Sequence, residues 1–168
     1  PDSGNAAALG YAQEKGLKFD LGLIRNHYVG RTFIEPSQKI RSLGVKLKLN
    51  PNQSSIVNKK IILVDDSLVR GTTSHKIVKM LYDSGAKEVH MRIACPEIKF
   101  PDFYGVDMPT RKELLANEKN IDEMCEYINA NSLKFLSLKG LYISLGKGER
   151  NNSYPQFSDH YFTGDYPV

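Results

Sequence analysis

Two cysteines stand in 168 residues, Cys95 and Cys125, with no C-x-x-C anywhere. Two thiolates are too few for a four-cysteine zinc or iron–sulfur site. Composition points to a compartment where thiols stay reduced, so both are read as ordinary core or half-buried thiols, with a disulfide the alternative. No apolar run approaches the ~18 residues of a membrane-spanning helix. Internal repeats and low-complexity tracts are missing too. The chain lacks an initiator Met, a signal peptide and an Arg-rich transit segment. It opens Pro1-Asp2-Ser3-Gly4, and is read as a piece of a longer cytoplasmic polypeptide.

What is present is a globular composition, 40% hydrophobic and 25% charged, at a length suited to one domain. The net charge is +4, and its distribution is uneven. Arg25, Arg31, Lys39, Arg41, Lys46 and Lys48 face one acid, Glu35, so that stretch carries +5 and the rest of the chain −1. A nucleic-acid face would spread its positive charge over helices or a sheet. Charge gathered in one loop suits a small polyanion instead.

The pattern of elements is α/β. Ser3 to Lys15 is Ala-rich, with Ser at its start and Gly16 past its end, which predicts a capped helix. Lys18 to Ile24 reads as a strand and 25 to 50 as a long basic loop. Lys60-Ile-Ile-Leu-Val64 is a continuous apolar run, expected to be a strand covered on both faces. Ile77, Val78, Leu81 and Tyr82 recur at helical spacing over Thr73 to Tyr82, with Gly85 as a stop. Glu88 to Ala94 is a further strand, completing a βαβ unit and hence a parallel sheet. Thr110 to Ala116 and Ile121 to Ile128 read as helices, Leu133 to Leu136 as a strand and Leu138 to Leu145 as a helix. Residues 1–146 are taken as the domain, incomplete on its N-terminal side and so with an open sheet edge. Residues 147–168, polar and aromatic, are taken as a tail packed over it.

The chemistry concentrates in Val64-Asp65-Asp66-Ser67-Leu-Val-Arg70-Gly71-Thr72-Thr73-Ser74. A buried strand ends in two carboxylates, and a small-residue turn then opens a helix. Ligands of parallel sheets collect at the carboxyl ends of strands. A helix start offers unpaired N–H groups and the positive dipole end to a phosphate. Gly71 lets backbone approach closely, and the hydroxyls add donors. Two adjacent acids would repel a phosphate they touched, but they can hold ribose hydroxyls or a Mg²⁺ that bridges to phosphate oxygens. The competing structural account, a solvated strand end followed by an ordinary N-cap turn, fits less well with the buried strand before and the Gly-Thr-Thr-Ser after.

This segment resembles the phosphoribosyl pyrophosphate (PRPP) signature of type I phosphoribosyltransferases. Further stretches are similar to one family, the glutamine PRPP amidotransferases or amidophosphoribosyltransferases. Pro1-Asp2-Ser3-Gly4 before an Ala-rich helix resembles that family's pyrophosphate loop. Asn26-x-Tyr28-Val-Gly-Arg31-Thr-Phe-Ile34 resembles its flexible catalytic loop, and Lys48-Leu-Asn50 that loop's end. Ser84-Gly-Ala-Lys-Glu-Val-His90, Tyr104-Gly-Val-Asp-Met-Pro and Phe162-Thr-Gly-Asp-Tyr-Pro match in order and spacing, so the likeness covers nearly the whole chain.

The resemblance implies a type I phosphoribosyltransferase-like fold, a mostly parallel sheet flanked by helices with an irregular C-terminal extension. It implies transfer of ammonia, drawn from glutamine in the full enzyme, to PRPP, giving 5-phosphoribosylamine and pyrophosphate in the committed step of purine synthesis. Asp2, Ser3 and Gly4 would hold pyrophosphate, and Ser67, Arg70, Gly71, Thr72, Thr73 and Ser74 the 5′-phosphate. Ser3, Asp65 and Asp66 would bind Mg²⁺, while Arg25, Tyr28 and Arg31 would act catalytically when the loop closes. The N-terminal glutaminase domain is not in this sequence, so the chain alone is expected to lack glutaminase activity. Purine nucleotides as feedback inhibitors and a homo-oligomeric full-length form follow from the same likeness, and neither nucleic acid nor a membrane is an expected partner.

Three departures stand out. The family usually has Lys at the place of Arg25 and often Arg at that of His27. Where some members ligate a [4Fe–4S] cluster, this chain has Asp102, Ser158 and Tyr161, and neither Cys95 nor Cys125 falls on those places, so no cluster is expected. His75 is read as exposed and His90 as structural. The leading alternative is a regulator that senses PRPP or nucleotides on this fold; the retained Tyr28-Val-Gly-Arg-Thr-Phe favours catalysis. A Mg²⁺-dependent phosphatase would prefer Asp-x-Asp, whereas Asp65 and Asp66 are adjacent and point to opposite faces of a strand.

Overall fold

A computed structural model describes residues 1–28, 48–105 and 110–166. Arg31, most of the basic loop and the Val-Asp-Met-Pro of residues 106–109 lie outside the described residues. Helix α1 runs over Asn5–Lys15 and ends at Gly16, whose φ of 61° places its N–H on the Ala12 and Gln13 carbonyls. The expected Ser3 cap is not made: Gly4 is the N-cap, without a side-chain bond. The strand foreseen from Lys18 shrinks to β1, Leu23–Arg25, which pairs antiparallel with β2, Leu49–Pro51. The two ends of the basic stretch are therefore joined as a ribbon, and Asn26 N–H donates to the Lys48 carbonyl at 2.7 Å. A short helix α2, Gln53–Ile56, follows.

The main sheet has three parallel strands in the order β3 (Lys60–Asp65), β4 (Glu88–Ile93), β5 (Ser132–Phe135). Helix α3, Thr72–Asp83, makes the βαβ crossover, with Lys60 opposite Glu88 and Asp65 opposite Ile93. The expected single helix after Thr110 is broken into a 3₁₀ turn, Arg111–Glu113, and α4, Leu115–Glu118, because the buried Leu114 is extended and the Leu115 N–H donates to the Val69 carbonyl. Helix α5, Ile121–Tyr127, starts with a capping box: Asn120 accepts from Glu123 N–H while the Glu123 carboxylate accepts from Asn120 N–H. Helix α6, Leu138–Ser144, is capped by Ser137, and α7, His160–Thr163, lies in the tail.

Alternation along β4 organises the core. Val89, Met91 and Ile93 are buried on one face, and Glu88, His90 and Arg92 lie on the other. Val89 packs with Ile77, Val78 and Leu81 of α3, Ile56 of α2, and Leu23 and Leu49 of the ribbon. Met91 and Ile93 pack with Leu68, Leu115, Met124, Ile128 and Leu133. The opposite face is polar: His90 bonds Ser132 and Glu88, and Arg92 donates to Ser132. The expectation that β3 is covered on both faces is therefore corrected. Ile61 and Leu63 face the core, but Ile62 is about a third exposed on the His90 side. An unbroken apolar run cannot distinguish a central strand from an edge strand. Among the described residues β3 has a strand neighbour on one side only, and a groove of 430 Å³ beside it is lined by Ala8, Tyr11, Leu17, Leu21 and Ile62. No helix among the described residues is long and apolar enough to cross a membrane.

The tail is fastened by two buried carboxylates. Asp159 accepts from Arg150 at 2.6 and 3.2 Å and from the Tyr142 hydroxyl at 2.8 Å. Asp102 bonds His160 at 2.8 Å, with both side chains buried, and Lys99 and Phe100 N–H groups donate to the Tyr161 carbonyl. Burial works against charge on Asp159, but Arg150, Tyr142 and Thr163 together hold its carboxyl below the usual carboxylate range. The stability this contributes is present above the ordinary carboxylate pKa and is lost as pH falls through the depressed value. Asp159→Asn takes the buried counter-charge from Arg150 and leaves it only the exposed Asp165 carboxylate. Thermal unfolding at pH 7 should show a loss of about 1.5–3 kcal/mol, and the gap to the parent should close on acidification.

Candidate functional site

The site is built where three segments meet the carboxyl end of β3. The first contact is between backbones. A Cβ placed on Gly4 would stand 2.9 Å from the Val64 carbonyl oxygen and 3.3 Å from the Asp65 Cα, so only glycine lets the Asp2–Gly4 turn lie against the strand end. That contact brings the start of α1 beside the two acids. The second segment is the turn after β3. Gly71 adopts φ 73° as the N-cap of α3, and a Cβ there would meet Leu115 at 2.7 Å and the Tyr127 ring at 2.9 Å. The left-handed cap leaves the first N–H groups of α3 without intrahelical partners, the arrangement that favours an anion.

Along this turn, Asp66 N–H donates to Asp65 Oδ1 at 3.0 Å, and Ser67 Oγ donates to Asp66 Oδ1 at 2.9 Å. Asp65 is half-buried and Asp66 exposed. Burial first, then the neighbouring Asp66 carboxylate, pushes the Asp65 carboxyl up to about 6, against the lowering bond from Asp66 N–H. The same forces reach Cys95, whose thiol burial and the Asp66 and Asp65 charges push up to about 12, leaving it inert as a nucleophile. Cys125 is likewise a free, half-buried thiol.

Other expected residues sit as follows. Thr72 and Thr73 are exposed at the helix start, and Ser74 is buried beneath it. Ser3 is exposed beside Gly4. The Arg70 guanidinium is already engaged by Glu113, at 2.8 and 2.7 Å. Tyr28 is fully exposed, with its N–H on Asn26 Oδ1. His75 is exposed, and its Nδ1 lies 2.9 Å from the Tyr127 carbonyl. The third segment enters through Arg25, whose Nη1 donates to Asp2 Oδ2 at 2.9 Å. This pair, like Arg70–Glu113 and Asp102–His160, joins residues 23, 43 and 58 positions apart, and no local spacing announces such contacts.

A parallel sheet whose strand ends in paired acids and feeds a glycine-capped helix defines a type I phosphoribosyltransferase-like fold. The chain is similar in structure to the B. subtilis glutamine PRPP amidotransferase solved with ADP and GMP. The match has a TM-score of 0.85 and 46% identity over 99% of this chain and 36% of that one. A solved allosteric regulatory enzyme of purine biosynthesis gives a TM-score of 0.82 with the same identity and coverage. Over its whole length the chain is 60% identical to the amidophosphoribosyltransferase of Rhizobium etli, spanning 34% of it. It is 56% identical to amidophosphoribosyltransferase 2, chloroplastic, of Arabidopsis thaliana, spanning 29% of that protein. The chain is thus homologous throughout to one segment of the amidophosphoribosyltransferase family, about a third of the length of these curated relatives. No protein-family model matches it.

Two substitutions test the geometry. Gly4→Ala should lower stability by about 1–3 kcal/mol, since the clash is with backbone, whereas Gly10→Ala, in open space on α1, should raise it by about 0.5–1 kcal/mol. Thermal melts giving the same sign for both would refute the close approach. For Asp65, a carboxyl raised above its ordinary 3.8 contributes stability below that value and loses it as pH rises through about 6. Asp65→Asn should therefore raise the unliganded melting temperature at pH 7.5, by no more than ~3 kcal/mol equivalent, and leave it little changed at pH 4.

Proposed function

We propose that this chain forms the PRPP-handling part of an amidophosphoribosyltransferase, which displaces pyrophosphate from the ribose C1 of PRPP with ammonia. The observation that carries the reading is the junction of the Asp2–Gly4 turn with the acidic end of β3 and the glycine-capped start of α3. Under this proposal the two helix starts supply anion seats that flank the two carboxylates, as a sugar diol between a pyrophosphate and a 5′-phosphate would require. In this reading the C1–O bond to pyrophosphate breaks, C1–N forms, and the added nitrogen gives up a proton. Ammonia needs no covalent help, so the protein's part is to stabilise the departing negative charge and keep water out. Backbone N–H groups at Asp2–Gly4 receive the pyrophosphate, those at Ser67–Ser74 the 5′-phosphate, and Arg25 with Tyr28 and Arg31 closes over the leaving group. Asp65 and Asp66 orient the ribose hydroxyls.

Mg²⁺ fits the donor set. The described residues contain no cluster of three or more His, Cys, Asp or Glu able to hold a metal, and Mg²⁺ commonly takes only one or two carboxylates plus phosphate oxygens and water. Asp65, Asp66 and Ser3 would hold it with PRPP, where it would neutralise charge on the pyrophosphate. Purine nucleotides as regulators are supported by the ADP and GMP complex of the B. subtilis protein. A cytoplasmic location belongs to the same proposal, although plant relatives are named chloroplastic.

The test is pyrophosphate release from PRPP with ammonium and Mg²⁺ at about pH 8. Release that requires all three is expected, with Asp66→Asn lowering it by about 10²-fold or more. The 168-residue chain should not use glutamine in place of ammonia. PRPP binding without pyrophosphate release would favour the sensing regulator, and no PRPP binding at all would reject both.

A further inference from the structure

The Arg25 guanidinium is only partly served. Its Nη1 meets Asp2 Oδ2 at 2.9 Å, while its Nε is buried and has no acceptor. A guanidinium is a planar fork of five donors suited to two acceptor oxygens side by side. Here it finds one oxygen at one tip. The pair is also exposed, with 30% of the Arg25 and 47% of the Asp2 side chain open to solvent, so water can compete for both partners. An ion pair of this kind is weak and exchangeable. Asp2 moreover opens the turn that Gly4 presses against β3, two residues before the N-cap of α1.

We infer that Asp2 is a resident anion, holding Arg25 in place while the adjacent anion seat is empty and giving it up to the diphosphate of an incoming ligand. The inference rests on the PRPP reading and assigns Asp2 a positioning role within it. A diphosphate offers several oxygens, enough to replace Asp2 at Nη1 and to reach Nε as well. Exchange therefore gains a hydrogen bond that the resident carboxylate does not supply. The same exchange run backwards helps release: as pyrophosphate leaves, Asp2 returns to Arg25 and the guanidinium is not left bare. A Lys ammonium, the residue the family resemblance would place at 25, carries its three donors on one freely rotating nitrogen, with no fixed fork that demands a second oxygen at a set position. The clasp is thus tied to arginine.

If the clasp must open before the ligand engages Arg25, apparent affinity is reduced by the fraction of molecules in which it is closed. Removing the Asp2 charge should therefore tighten binding, the reverse of what a direct ligand to metal or substrate would show. The experiment is calorimetric titration of inorganic pyrophosphate with Mg²⁺, at fixed ionic strength, into the protein and into Asp2→Asn, Arg25→Gln and the double variant. Asp2→Asn should bind about two- to fivefold more tightly, the range set by an exposed pair, and the gain should vanish in the Arg25→Gln background. Arg25→Lys serves as a second, charge-preserving background in which the gain should shrink. Weaker or unchanged binding by Asp2→Asn while the parent binds would overturn the clasp and leave the PRPP reading standing. An equal gain in the Arg25→Gln background would overturn it too, since the effect would then be long-range repulsion. Failure of every form to bind pyrophosphate and PRPP would overturn the reading itself, and the clasp with it.

Discussion

The approach of Gly4 to the Val64 carbonyl, too close for any side chain, is the constraint on which the candidate site depends. Because the turn lies on the strand end, α1 begins beside the carboxylates of Asp65 and Asp66 and not a side-chain width away. The start of α1 and the start of α3, which follows the turn after Asp65, are thus both brought to one strand terminus. A β-carbon at either glycine would alter this, at Gly4 by pushing against backbone and at Gly71 by pushing against Leu115 and Tyr127 while also demanding a left-handed φ. The parallel sheet supplies the rest. Its register leaves Asp65 opposite Ile93, and the Ala94 N–H donates to the Asp65 carbonyl, so the strand end is pinned by its neighbour.

Rigidity beneath the site comes from β4. Its buried face feeds two apolar clusters at once, one under the ribbon and α3 and the other under α4 and α5. Both halves of the fold therefore share one strand, and the site sits over the seam between them. The tail adds a clamp on the segment leaving β4, through Asp102–His160 and the Tyr161 carbonyl. These attachments are polar and far apart in sequence, in contrast to the apolar packing of the sheet.

The parts of the fold legible in the sequence are those governed by local rules. Gly16 and Gly85 mark real helix stops, and the β-branched run from Ile61 is a strand. The acids at 65 and 66 and the glycine at 71 stand at a strand end and a helix cap, as the pattern required. What was illegible depended on partners distant in sequence. Residues 18–22 read as strand, but only Leu23–Arg25 find a partner, on β2. Thr110 to Ala116 has helical spacing, yet the Val69 carbonyl captures the Leu115 N–H and breaks it. His160 offered no pattern, and its buried bond to Asp102 arises only when the tail folds back across the segment after β4.

The electrostatics of the site carry two unmet demands of opposite sign. At the strand end, burial and adjacency make the second negative charge costly, so the Asp65–Asp66 pair calls for a cation or for hydroxyl donors. At the ribbon, Arg25 keeps a buried donor without an acceptor and leans on a single exposed carboxylate, so it calls for an anion. A bare anion would relieve the second demand and worsen the first; a bare cation would do the reverse. A polyanion that arrives with a divalent cation and carries a vicinal diol meets both together. The basic charge that sets the chain's net +4 fits this account, since the +5 stretch begins at Arg25 itself. Under the proposed reading, the acid pair and Arg25 are complementary halves of one ligand's charge pattern, joined through the Asp2–Gly4 turn.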